Sequence, residues 1–230
     1  AAGPAWALDG TINHDYLALA RERIALMNTL GLTAIVYGAW GHQIDWIGTD
    51  AMIAWWRAII DTLDDLDVVY CLTGESNLWI NEADRLLPNH STGDLTPPFM
   101  KTRVYGWLVR TRVVNIWRRV RPYLQRINAR LRAKVRAQAL AAGRAQRIAA
   151  WSTVLAEIAP HTERPFMLHP IPADRSDACV NNPDLLAALT VQTGHDDAKR
   201  TALWAEPRQA LEQHPGAFFA NLEPWYEGIL

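Results

Sequence analysis

The chain has 230 residues, 50% of them hydrophobic, and a formal net charge of −1, so it can bury one sizeable core and has no overall bias toward nucleic acid or anionic membranes. Its two cysteines, Cys71 and Cys179, make no disulfide framework. No run of about 18 apolar residues spans a membrane, and AAGPAWALDG has neither the basic nor the apolar region of a signal peptide.

A repeated pattern follows: a helix-period segment, a short apolar run rich in β-branched residues, then polar residues. His14–Leu30 predicts an amphipathic helix, with Tyr16, Leu19, Ile24 and Met27 near one face and Gly31 as its stop. LTAIVYGAWGH (Leu32–His42) predicts a strand, Asp50–Leu63 a second helix, and DVVYCLTGES (Asp67–Ser76) a second strand that holds Cys71 as a buried small hydrophobe. LLPNHSTGDLTPP (Leu86–Pro98) predicts a loop. A basic helical stretch comes next: residues 101–150 hold 14 of the 23 Lys and Arg and no Asp or Glu. It reads as a solvated helical insertion at 85–143, or as a surface for an anionic partner. Arg144–Ile158 predicts a helix. RPFMLHP (Arg164–Pro170), LLAALTVQTGH (Leu185–His195) and GAFFANLEP (Gly216–Pro224) predict strands, with a helix at Asp197–Gln213 before the last.

The strands are continuous apolar runs, as in a parallel sheet buried on both faces. Their alternation with helices gives the α/β class. Of the two architectures this allows, a (β/α)₈ TIM-type barrel is preferred to an open doubly wound sheet. Every strand ends in polar residues, as barrel strands do where their loops converge on one pocket, and no glycine-rich phosphate fingerprint is present. A complete barrel needs eight strands. Five are legible, so an incomplete barrel, a fragment of a single domain, is expected over 1–230.

The strand ends supply the chemistry. Glu75 ends VVYCLTGES and Glu223 ends AFFANLEP. A pair of carboxylates across a barrel mouth suits glycoside hydrolysis, one protonating the leaving oxygen and one attacking or activating water. On spacing alone, strand-end acids bind metal or cap helices as readily. His42, His169 and His195 follow three other strands and could ligate zinc with Glu75 or Glu223, but no close-spaced pair such as H-x-x-x-H is present. Trp40, Asn77, Trp79, Gln192 and Trp225 suit a site that holds sugar hydroxyls and stacks ring faces better than a metal site. Alternation puts Phe219, Asn221 and Glu223 on one face, and Asn221 or Tyr226 could hydrogen-bond the Glu223 carboxylate. Glu227 lies past Pro224, beyond the strand end, and is the weaker candidate. Asp174, Asp177, Asp196 and Asp197 read as loop or N-cap acids.

The stretches WALDGTIN, VVYCLTGESN, FMLHP, LLAALTVQTGH and NLEPWYEG, in this order and at strand ends, resemble the apiosidase-like glycoside hydrolases. The resemblance covers most of 1–80 and 144–230. It implies a (β/α)₈ catalytic barrel of which this chain begins after the second strand and ends before the eighth. It also implies a general acid/base on the fourth strand, here Glu75, and a nucleophile on the seventh, here Glu223, with retention of configuration. Some family members carry Asp where this chain has Glu75. The expected substrate is a carbohydrate, cleaved at a terminal sugar, with Trp40, His42, Asn77, His169, Gln192, His195, Trp225 and Tyr226 as binding residues. No cofactor, metal or nucleic-acid partner is expected. The competing expectations are a non-catalytic carbohydrate- or protein-binding barrel, and an interaction protein acting through the basic helix.

Overall fold

Five short strands, all in one direction, alternate with helices in the computed structural model, which describes residues 3–7, 9–76, 141–171, 174–193 and 201–224. The chain divides into two compact units, Ala1–Leu78 with Ala145–Leu230, and Trp79–Arg144. The first holds the five strands. The basic insertion expected at 85–143 lies outside the described residues as far as 140.

Helix α1 (His14–Thr29) starts where the Asn13 side chain accepts a hydrogen bond from the Tyr16 backbone N–H, meeting a donor that the first turn leaves unpaired. It stops at Gly31, whose φ of +77° lets Leu32 N–H reach Met27 O and Gly31 N–H reach Asn28 O, a glycine-dependent C-terminal cap. Leu17 and Ile24 are its buried residues. Tyr16 and Met27, expected on the same apolar face, are exposed. Strand β1 (Ala34–Tyr37) follows, then α2 (Ile44–Leu63), which begins earlier than predicted because an extra turn precedes a break at Gly48 (φ 81°). Next come β2 (Val68–Cys71), α3 (141–158), β3 (Phe166–Met167), β4 (Leu189–Gln192), α4 (Ala202–Gln213) and β5 (Phe219–Glu223).

Among the described residues the strands form two parallel sheets, β1-β2-β3 and β4-β5, not a closed ring. A backbone bond from Ala187 N–H to Phe166 O (2.8 Å) and a side-chain bond from Thr190 Oγ1 to Leu168 O bring β4 beside β3. The spatial order of the five strands is therefore their chain order. On one side of the first sheet, Ala34, Val68, Tyr70, Leu72, Phe166 and Leu168 join one core with Trp55, Trp56, Ile59 and Leu63 of α2 and Trp151, Val154 and Leu155 of α3. Burying each large side chain contributes about 1.5–3 kcal/mol. Gly38 is required there: a Cβ at that position would sit 2.2 Å from the Trp56 ring. Strand alternation turns Tyr37, Cys71, Met167 and His169 to the other side.

Candidate active site

The C-terminal strand ends meet through backbone bonds beyond the strands themselves. Gly74 N–H donates to Ala39 O (2.8 Å) and Gly41 N–H to Gly74 O (2.7 Å), so the segment after β1 lies against the segment after β2. Ser76 N–H donates to His169 O (3.0 Å) and His169 N–H to Thr73 O (3.1 Å), which carries the array on to the residues after β3. Glu75 is held in this lattice at φ 45°, the one described non-glycine residue with positive φ. That conformation costs an L-residue of order 1–3 kcal/mol and persists only where its surroundings enforce it. Gly41 supplies part of the enforcement by close approach, since a Cβ there would lie 2.4 Å from Glu75 O and 2.8 Å from Ser76 Cα. The Trp151 indole N–H fixes the same turn through Gly41 O (3.1 Å).

Glu223 closes β5. The Gln192 side-chain amide donates to its Oε2, and His169 Nε2 lies 3.5 Å from the same oxygen. His169 is buried, and neither ring nitrogen makes a hydrogen bond. Burial pushes its pKa below the ordinary 6.5, and the Glu223 charge opposes that shift. Tyr37 packs edge-on against the His169 ring, with centroids 5.9 Å apart, and its side chain hydrogen-bonds Cys71, whose thiol burial pushes up to about 12.

The register of β4 and β5 corrects one expectation. Val191 pairs with Asn221 but Gln192 with Glu223, so Leu222 is an extra residue and β5 bulges there. Paired residues of a parallel sheet point to the same side, and neighbours along a strand to opposite sides. Asn221 and Glu223 are thus on opposite sides. Asn221 gives its amide to Thr193 Oγ1 (3.0 Å), not to the Glu223 carboxylate; Gln192 takes that role.

Of the other residues singled out in the sequence, Trp40 bridges to Gly74 and is half exposed, while His42 stacks edge-on against Trp46 at 4.8 Å. Asn77, Trp79, His195, Trp225, Tyr226 and Glu227 lie outside the described residues. Among the described residues no three His, Cys, Asp or Glu side chains converge as a metal-binding group. Tyr37 was missed: it lies within an apolar run, and only the alternation of Val36 with Tyr37 could have turned it toward His169.

Comparison with known proteins gives one match. Residues 5–230 fit the family model of the apiosidase-like catalytic domain. No curated protein and no solved structure matches the chain.

Proposed function

The chain belongs to the apiosidase-like family, and on that premise we propose that it is a glycoside hydrolase that removes a terminal sugar from a glycan by a two-carboxylate, retaining mechanism. Glu223 is the nucleophile. Its carboxylate bonds to the anomeric carbon as the glycosidic C–O bond breaks, and Glu75 gives its proton to the departing oxygen. Water then attacks the glycosyl ester, Glu75 takes the water's proton, and the ester bond to Glu223 breaks. Two inversions restore the starting configuration. The scaffold in this reading is an incomplete barrel of the (β/α)₈ type over 1–230, into which 85–143 is inserted, and the spatial order of its strands supports that type. A doubly wound sheet reverses direction at a switch point, whereas these five strands run on in chain order.

The observation that carries the reading is the setting of Glu223, at a strand end with a donated amide from Gln192 and a buried imidazole 3.5 Å away. The donated amide holds the carboxylate in a fixed orientation at the strand end, as a nucleophile's attack on an anomeric carbon requires. The test is a screen of 4-nitrophenyl furanosides and pyranosides. Cleavage by the parent chain and its loss by about 10³-fold or more in Glu223→Gln, with the product anomer retained by NMR, is the expected result. Unchanged cleavage in Glu223→Gln overturns the assignment. Binding without any cleavage favours the non-catalytic barrel.

A further inference from the structure

Both proposed carboxylates sit where a strand takes in one extra residue. In a regular parallel pair a residue donates to one neighbour of its partner and accepts from the other, two positions apart. His169 donates to Thr73 O (3.1 Å) and accepts from Ser76 N–H (3.0 Å), three positions apart. One extra residue is therefore fitted opposite His169, and Glu75, at φ 45°, takes up the bend. On the other side of the same segment Gly74 pairs regularly with Trp40, donating to Ala39 O and accepting from Gly41 N–H. Glu223 follows the second irregularity, the extra Leu222 in β5. An inserted residue re-aims the side chains around it, and such bulges gather next to active sites.

His169 touches both places. Glu75 ends the segment after β2 and Glu223 ends β5, and His169 follows β3, between them in the spatial order of the strands. Its backbone brackets Glu75 through Thr73 O and Ser76 N–H, while its imidazole reaches to within 3.5 Å of Glu223 Oε2. The ring has little freedom, being 5% exposed with Tyr37 edge-on against it. Both of its nitrogens are buried and neither makes a hydrogen bond. A native fold seldom keeps such a group unless it has a use. The 3.5 Å gap is long for a hydrogen bond, and catalytic bonds are often long before substrate binds and tighten in its presence.

We propose that His169 is a positioning residue: with hydrogen on Nε2 it donates to Glu223 Oε2 in the substrate complex and aims the carboxylate at the anomeric carbon, from the same backbone that fixes Glu75. The inference rests on the hydrolase reading above. Oε2 is then held by two donors, the Gln192 amide from β4 and the imidazole that follows β3, which blocks rotation about the carboxylate's last bond. The separation of the two acids, on which a retaining outcome depends, is set through one residue rather than through the whole sheet.

The experiment uses the 4-nitrophenyl glycoside cleaved in the screen. His169→Leu keeps a buried side chain of similar size and removes the donor, so kcat should fall by about 10²-fold with KM within about threefold. His169→Gln, whose amide nitrogen reaches the place of Nε2, should recover at least about tenfold of that loss. His169→Asn, one methylene shorter, should not, and the contrast of Gln with Asn carries the test should the Leu variant fail to fold. A donor that acts through Glu223 has no effect once Glu223 is gone. In Glu223→Gly, azide attacks the anomeric carbon of the 2,4-dinitrophenyl glycoside; the C–N bond forms as the C–O bond breaks, and dinitrophenolate leaves with the electron pair. Adding His169→Leu there should change the azide-dependent rate by less than about twofold. An equal loss in both backgrounds overturns the positioning role and leaves the hydrolase reading standing. So does a loss confined to KM, which would make His169 a sugar contact. If the parent chain cleaves no glycoside, the hydrolase reading and this inference fail together. Absence of azide-dependent turnover removes Glu223 as the nucleophile, and the inference with it.

Discussion

His169 faces the Glu223 carboxylate from a buried position, and its protonation should be visible in the stability of the protein. Its pKa is lowered on folding because the charged form loses hydration. Between the lowered value and 6.5 the unfolded chain binds a proton that the folded chain does not, so stability falls as pH drops through 6.5 and is level above it. The melting temperature should therefore begin to decline below about pH 6.5, and His169→Gln should flatten that decline. An unaltered slope in His169→Gln would place its origin elsewhere. Carboxylates such as Asp65, held below 3.8 by a hydrogen bond from Arg21, begin to act only at lower pH than His169 does. At this scale the sequence was informative about residue type and poor about partners. His169, Gln192 and Glu223 were all legible as polar groups following apolar runs. That Gln192 donates to Glu223 was not, because it depends on one extra residue, Leu222, that leaves no mark in the apolar pattern.

Among the elements, the turn after β1 shows how a backbone contact can govern a side chain elsewhere. Gly41 admits the Glu75 carbonyl at a distance no Cβ tolerates. In Gly41→Ala the clash is with backbone and cannot be relieved by a rotamer change, so overpacking of about 1–3 kcal/mol is expected, read as a lowered urea midpoint. If Glu75 works as proposed, kcat should fall further than the loss of folded protein explains, with KM little changed. Activity that simply tracks the folded fraction would deny Gly41 a part in setting Glu75. All five strands and the helices flanking them were readable from apolar runs and periodicity. The start of α2 was not: Gly48 inside IDWIGTD reads as a break, and the packing of Ile44 and Asp45 beyond it depends on α3, far off in sequence. The division of the described strands into two parallel sheets was not legible either, since apolar runs specify burial but not which strand lies beside which.

For the molecule as a whole, Arg147 is the tie between halves of the chain that are distant in sequence. It is 2% exposed, and its guanidinium meets Asp45 at 2.6 Å, joining α3 to the first turn of α2. Arg147→Met keeps most of the volume but removes the ion pair with the partly buried Asp45. A loss of about 2 kcal/mol is expected, and Asp45→Asn in the same background should recover part of it. Strict additivity of the two substitutions would show that the pair is not coupled. The same halves also meet in the sheet, where β2 and β3 pair through Tyr70 with Phe166 and Cys71 with Met167. In the unfolded chain those partners are the ends of a long loop, and the entropy of closing a flexible loop grows only with the logarithm of its length, about 0.6 kcal/mol for each doubling. The seam between β2 and β3 is consequently the place where this fold can accept or lose a large piece of chain at small thermodynamic cost. What such a change would alter is the time the two halves take to find each other.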